Sequence, residues 1–280
     1  RIDDNLKAEL WVKCEQRNPG GSVKDRPALA MIRAAEESGA LRPGATLIEA
    51  TSGHMGSSMA MIAAERGYRC LLVMPEDMSM ERRYLLKAYG AEIELTPAEQ
   101  AMSGAVARAR EIMSKTRGAC MLSQFENAAN PLAHELGTGP ELIEQMQGTI
   151  DAFVVGVGTG GTLTGVGRAL RRKFGQHVKL VAVEPAASAV LSGQCAGLHG
   201  IQGLGAGFVP KILDRSLIDS VVTVSDVAAQ RMCRTLAEKE GLLVGPSSGA
   251  NVHAAVQVAK GMTGGKVATV LCDSGERYLF

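Results

Sequence analysis

Ala152-Phe153-Val154-Val155-Gly156-Val157-Gly158-Thr159-Gly160-Gly161-Thr162-Leu163 reads as a buried strand that runs through a glycine-rich turn into a helix. A short apolar run closed by glycine suits a strand covered on both faces, and helical periodicity follows it to Lys173. The same alternation extends in both directions. Strands are expected at 10–13, 46–50, 69–74, 92–96, 119–123, 152–157, 179–183, 220–224 and 266–271. Helices are expected at 57–66, 79–89, 98–113, 132–146, from the glycine turn to 173, at 227–240 and after Ser248, with a long Gly-rich connection at 186–211. Strands alternating with helices specify an α/β fold with a parallel sheet under helices. The pattern alone leaves the number of domains open, since no low-complexity linker or repeat of solenoid length divides the chain.

Composition removes several function classes. The 280 residues carry 30 Lys and Arg against 29 Asp and Glu, a formal charge of +1, so nothing global advertises nucleic acid or an anionic membrane as a partner. No apolar run of about 18 residues is present to span a bilayer. Hydrophobic residues make up 46% and aromatics 4%, which describes an Ala-, Gly- and Val-rich enzyme with a sizeable core. The six cysteines are dispersed without a C-x-x-C pair, which argues against zinc and a disulfide framework and fits a reducing cytoplasm. Cys14 reads as a small residue filling a strand. The histidines show no metal spacing, and His134, His177, His199 and His253 read as surface or structural residues.

Two segments carry chemistry. Lys24 lies in Asn18-Pro19-Gly20-Gly21-Ser22-Val23-Lys24-Asp25-Arg26, just before an amphipathic helix. A lysine amine can form an imine with an aldehyde, and the turn at 158–162 can hold a phosphate through backbone N–H groups and the helix dipole. Pyridoxal phosphate requires both. A dinucleotide reading of the turn is weaker, because the G-x-G-x-x-G spacing is missing and Glu184 is the one acid placed to bind a ribose; Glu184 reads instead as a strand-end residue before Pro185.

The intervening motifs give a family resemblance. Thr51-Ser52-Gly53, Met74-Pro75-Glu76, Glu81-Arg82-Arg83, Gln124-Phe125-Glu126-Asn127, Thr138-Gly139-Pro140-Glu141, Ile201-Gln202-Gly203, Gly205-Ala206-Gly207-Phe208, Ser247-Ser248-Gly249 and Ser274-Gly275-Glu276-Arg277-Tyr278 stand in order with the lysine and glycine segments. Their order resembles that of the cysteine synthases (O-acetylserine sulfhydrylases). The stretch 201–208 is closer to the A type, while Cys272-Asp273 leans to the B type.

The resemblance implies a two-lobed, three-layer α/β/α architecture with mostly parallel sheets, the fold type II pyridoxal-phosphate enzyme of the tryptophan synthase β kind. It implies a smaller mobile lobe at 18–120 and a larger one from 1–17 and 121–280, with the cofactor between them, and further residues before Arg1 and after Phe280. It also implies β-replacement: Lys24 carries the cofactor and takes the substrate α-proton, acetate leaves O-acetylserine, and sulfide adds to an aminoacrylate to give L-cysteine. Gly158, Thr159, Gly160, Gly161 and Thr162 would hold the phosphate, and Ser247 would contact the pyridine nitrogen. Thr51, Ser52, Gly53, Met55 and Gln124 would grip the substrate carboxylate. Burial against the cofactor would lower the lysine pKa from about 10.4. A neutral hydroxyl at the ring nitrogen weakens the electron sink and favours β-elimination over transamination.

One departure stands out. The family has Asn then Thr where this chain has His54 and Met55. His54 could donate an N–H to the cofactor's phenolic oxygen in place of the Asn amide, and Met55 keeps only its backbone N–H. Alternatives of the same chemistry are a cystathionine β-synthase or a serine dehydratase. A different class is a weakened paralogue that binds the C-terminal peptide of serine acetyltransferase. The family further implies a homodimer in the cytoplasm.

Overall fold

A computed structural model describes residues 2–51 and 53–279. The chain enters on strand β1 (Glu9–Cys14) and then lays down α1 (Asp25–Glu37), β2 (Thr46–Ala50), α2 (His54–Arg66), β3 (Arg69–Pro75), α3 (Met80–Ala88), β4 (Glu92–Thr96), α4 (Ala101–Lys115) and β5 (Ala119–Met121). Helix α5 (Ala129–Ala133) passes through a π-helical turn at His134–Thr138 into α6 (Gly139–Gln145). There follow β6 (Ala152–Gly156), α7 (Gly161–Phe174), β7 (Lys179–Pro185), β8 (Ser220–Val224), α8 (Asp226–Glu240), α9 (Pro246–Lys260) and β9 (Lys266–Leu271). The chain divides into two compact units, Lys24–Ala129 and the pair of segments Arg1–Val23 and Asn130–Phe280.

The inner unit, Lys24–Ala129, holds a four-stranded sheet in the order β4-β3-β2-β5, every pairing parallel. Alternate residues of β2 feed two cores, as the pleat requires. Leu47 packs with Met31, Met55, Met59 and Leu72, while Ile48 packs with Val73, Ala105 and Ala109 of the opposite face. Both faces are therefore covered, which accounts for a central strand without polar alternation. Helix α2 closes on Gly67 in the left-handed conformation at φ 73°, whose N–H bonds the Ala63 carbonyl.

The outer unit holds a five-stranded sheet in the order β1-β9-β6-β7-β8, again wholly parallel. Phe153 and Val155 of β6 face Leu163, Val166 and Leu170 of α7, and Ala152 and Val154 face Ala250 and Ala254 of α9. Phe153 is 1% exposed, and truncating such a side chain to alanine costs about 3–5 kcal/mol. These paired parallel sheets under helices are the expected α/β fold.

Strand order locates the ligand-binding edge of each unit. Ligands in open parallel sheets bind beyond the carboxyl ends of strands where the winding direction reverses. In the inner unit the chain winds from β2 through β3 to β4 and then crosses to β5 on the other side of β2, so the reversal falls at the end of β2. In the outer unit it winds from β6 through β7 to β8 and then crosses to β9, so the reversal falls at the end of β6. The segments after these two strands are 51–53 and 157–160.

Several boundaries differ from expectation for local reasons. Helix α9 begins at Pro246 rather than after Ser248, because proline is pre-shaped for the first helical turn and Gly245 is the N-cap. Helix α2 begins at His54 rather than Ser57. Strand β5 stops at Met121 rather than 123, for a reason found in the side chain of Glu49 below.

Candidate active site

The turn after β6 is built from behind. Gly160 is the N-cap of α7 with φ 84°, a left-handed conformation that glycine adopts without strain, and no side chain caps the helix. A Cβ on Gly161 would collide with the Asn130 side-chain oxygen, and one on Gly158 with the Gly203 carbonyl. Glycine is therefore required for the backbone to sit this close to its supports. The hydroxyl of buried Thr159 accepts Asn130 Nδ2–H at 3.2 Å and the Gly161 N–H at 3.3 Å. With both lone pairs engaged, its own proton is left to donate to an acceptor outside this pair. A helix start whose first turn is uncapped, beside a hydroxyl donor, is a cradle for a phosphate.

His134 supports the same cradle. It is 1% exposed, with Nδ1 2.9 Å from Thr138 Oγ1 and Nε2 3.3 Å from Thr162 Oγ1. It opens the π-helical turn, and π turns are rare and concentrate at functional sites. Helix α7 approaches this turn closely because Gly165 and Gly139 lack side chains: a Cβ at Gly165 would strike the Pro131 carbonyl and His134 Cβ, and one at Gly139 would strike Ala169 Cβ. Sequence reading took His134 as a surface or structural residue and did not connect it or Asn130 with the glycine turn; it is buried, which leaves the structural half of that reading.

Ser247 lies in the first turn of α9 and is 4% exposed. Its neighbour Ser248 accepts the Cys272 N–H at 2.8 Å, whereas the Ser247 hydroxyl has no protein partner among the described residues. Neither serine caps the helix, so the capping role that the Ser-Ser-Gly motif allows is not taken. Gly203, at φ 93°, lies against it: a Cβ there would meet Ser247 Oγ at 3.7 Å. One turn further along α9, buried Asn251 accepts the Gly156 N–H at 2.7 Å and donates to the Val270 carbonyl at 2.9 Å. The β6–β9 pairing ends at Val154 and Thr269, and Asn251 takes over where the strands part.

The inner unit starts at Lys24, the residue before α1, whose carbonyl accepts the Ala28 N–H at 3.0 Å. The preceding loop belongs to the outer unit and is stitched there. Asn18 Nδ2 donates to Glu15 at 2.7 Å and to the Ser22 carbonyl at 3.0 Å, and the Val23 N–H donates to the Cys272 carbonyl at 2.8 Å. Asp25, 7% exposed, accepts the Ser58 hydroxyl at 2.6 Å and so ties α1 to α2, a structural role at the start of the helix.

Beyond β2, buried Thr51 accepts the Gly53 N–H at 3.2 Å. Ser52 lies outside the described residues. His54 is the first residue of α2 and half-buried. Met55 is 1% exposed in the core with Met31 and Met59, so its bulk points into the unit's interior and only its backbone remains for a ligand. Gln124, 8% exposed, follows the end of β5.

Glu49 links these segments, and sequence reading missed it. It is 6% exposed, and one carboxylate oxygen accepts the N–H groups of Leu122 at 3.1 Å and Ser123 at 2.9 Å. Burial pushes its pKa up from 4.5 to about 7, against the opposing pull of those two N–H donors. Ser123 stands at φ 55°, a left-handed conformation costing a serine roughly 1 kcal/mol or more.

Other expectations resolve individually. Glu184 accepts the Leu191 N–H at 2.7 Å, the Ser192 N–H at 3.0 Å and the Ser192 hydroxyl at 2.6 Å, so its carboxylate is spent on the following loop and the ribose role is ruled out. Cys14 is exposed at the end of β1 and does not fill an interior position, a correction that follows from its edge strand.

The outer unit offers an uncapped glycine turn and a buried hydroxyl that has no protein partner among the described residues, and the inner unit starts on a lysine; each taken by itself, these residues fit a phosphorylated aldehyde cofactor. A family model described as pyridoxal-phosphate dependent enzyme matches residues 1–273. The cysteine synthase of Staphylococcus aureus (strain N315) is 53% identical over 280 residues, covering 99% of this chain and 89% of the relative. The crystal structure of O-ureido-L-serine synthase superposes with a TM-score of 0.93 at 44% identity, over 96% of this chain and 85% of that one. The cysteine synthase of Entamoeba histolytica superposes with a TM-score of 0.95 at 36% identity, over 99% and 84% of the two chains. The chain belongs to the family of pyridoxal-phosphate-dependent enzymes.

Proposed function

We propose that this protein is a cysteine synthase, which makes L-cysteine and acetate from O-acetyl-L-serine and sulfide. The observation that carries the reading is the 53% identity to a cysteine synthase across nearly the whole chain. When bound, pyridoxal phosphate supplies an electron sink for the carbanion at the substrate Cα. Lys24 would hold the cofactor through its side-chain amine and, as a neutral amine, would take the proton from the substrate Cα. Thr159, Thr162 and the N–H groups of 158–162 would hold the phosphate. Ser247 would meet the ring nitrogen as a neutral hydroxyl, and His54 would donate to the phenolic oxygen. Thr51, Ser52, Gly53, the Met55 backbone and Gln124 would orient the substrate carboxylate and so fix which Cα bond is broken.

The direct test is product formation by cofactor-loaded protein given O-acetylserine and sulfide. Cysteine release dependent on both substrates is expected, and a loaded protein that eliminates acetate without capturing sulfide contradicts the reading. A second reading is the same β-replacement with another nucleophile. It is favoured by His54-Met55 and by the 44% identity to an O-ureido-L-serine synthase. Competition between sulfide and other nucleophiles for one loaded sample separates the two. Within the same reading the protein would act as a cytoplasmic homodimer and would take the C-terminal peptide of serine acetyltransferase on its carboxylate-binding loop.

A further inference from the structure

We propose that Glu49 is a positioning residue for substrate recognition: its carboxylate fixes the turn that presents Gln124. The assignment rests on the proposed role of Gln124 toward the substrate carboxylate, and the geometry that carries it lies within one unit. Strands β2 and β5 pair from Thr46 and Ala119 to Ile48 and Met121, and the ladder stops there. The next two N–H groups on the β5 side, those of Leu122 and Ser123, go to the Glu49 side chain at 3.1 and 2.9 Å. A side chain thus replaces the strand at the point where the chain must turn.

Replacement is needed because a longer ladder would keep the chain extended, whereas Ser123 is left-handed at φ 55°. Local bonds also close the turn. The Ser123 carbonyl accepts the N–H groups of Glu126 at 2.9 Å and Asn127 at 3.0 Å, and Asn127 donates its amide to the Leu122 carbonyl at 2.8 Å. Glu49 is the long-range member of this set, 73 residues from Leu122, and it tethers the turn to the sheet. Two residues beyond Glu49 the chain reaches Thr51 and the other carboxylate-binding segment. One carboxylate therefore sets the turn that carries Gln124 relative to the end of β2, at the switch point of the inner sheet. Because a single oxygen receives both N–H groups, a glutamine carbonyl could serve in its place, while alanine could not.

The test compares cofactor-loaded parent, Glu49→Gln and Glu49→Ala. The visible band of the lysine-bound cofactor and its half-saturation by O-acetylserine are measured, together with kcat and KM. The expectation is an unchanged cofactor band in all three, a tenfold or greater rise in half-saturation and KM for Glu49→Ala with kcat moved far less, and values within about threefold of the parent for Glu49→Gln. Equal KM in Glu49→Ala and parent, or equal loss in Glu49→Gln and Glu49→Ala, overturns the assignment. If Glu49→Ala does not fold, Glu49→Asp replaces it, since withdrawal of the carboxylate by one methylene should raise KM in the same direction and an unaltered KM overturns the assignment. A loaded parent that ignores O-acetylserine contradicts the cysteine synthase reading itself. The tether is then read by amide exchange at Leu122 and Ser123: faster exchange in the alanine or aspartate variant than in Glu49→Gln supports it, and equal exchange overturns it.

Discussion

Asn251 takes the Gly156 N–H at 2.7 Å at the point where β6 separates from β9, and returns its own N–H to Val270 at 2.9 Å. Gly156 cannot be larger, since a Cβ would meet Asn251 Oδ1 at 2.9 Å and collide with Leu204. Glu49 does the equivalent work in the other unit, where β2 separates from β5. Each sheet thus ends on a buried polar side chain that satisfies backbone groups the ladder has released, and each such side chain stands beside a switch point. The splayed strand ends are where the two proposed ligand-binding segments begin.

Replacing Asn251 with alanine leaves the half-buried Gly156 N–H and the buried Val270 carbonyl unsatisfied. An unpaired buried polar group costs about 1–3 kcal/mol, so the pair should cost roughly 2–5 kcal/mol. Urea denaturation of the cofactor-loaded variant should show a lowered midpoint with weakened cofactor retention. An unchanged midpoint would show that water or a neighbour replaces the amide without loss.

The phosphate cradle is tested by Gly161→Ala. The added methyl would collide with the Asn130 side chain, which also donates to Thr159, so the collision displaces the hydroxyl donor as well as the backbone. Cofactor affinity is expected to fall at least tenfold with the far-ultraviolet dichroism unchanged. Parental affinity would remove the turn from phosphate binding.

Much of this was legible in the sequence where local pattern and burial agree. Strands 46–50 and 266–271 have the expected limits because they are short, largely apolar runs buried under helices, and the edge strands 92–96 and 220–224 because apolar or β-branched residues recur through a short stretch. The glycine turn was legible because its geometry depends on the residues themselves. Helix α9 could have been read from Gly245-Pro246, a start signal passed over in favour of the serines. The roles of Glu49, Asn251 and His134 were not legible. Each depends on where a strand pairing ends or on a helix crossing, which joins residues 73 apart for Glu49 and Leu122 and 95 apart for Asn251 and Gly156. The core position of the Met55 side chain was not legible either, because it depends on the phase of α2, and it leaves the backbone N–H that the sequence pointed to.

Glu49 makes a prediction about pH. Burial raises its native pKa from 4.5 to about 7, so the native state holds the proton more tightly than the unfolded chain. The stability contributed by the protonated acid is fully present below about 4.5 and is lost as pH rises through about 7. The loss is on the order of 3 kcal/mol between pH 4.5 and 8. Glu49→Gln should remove this component, so that the urea midpoint falls less steeply from pH 5 to 8 than in the parent. Identical slopes would show that Glu49 ionises normally in the native state.

Lys24→Ala should leave the fold intact and remove the covalent attachment. Borohydride treatment of cofactor-loaded parent should fix one cofactor per chain on the peptide containing Lys24, and the variant should retain none. Reductive labelling of another lysine in the parent would move the role elsewhere.

The visible spectrum of cofactor-loaded protein, recorded before and after O-acetylserine and again after sulfide, tests the central claim most directly. The account predicts a band from the lysine-bound cofactor that shifts on addition of O-acetylserine with release of acetate, and that returns on addition of sulfide with release of one equivalent of cysteine. A band that O-acetylserine leaves unchanged, or that shifts but does not return with sulfide, would contradict it.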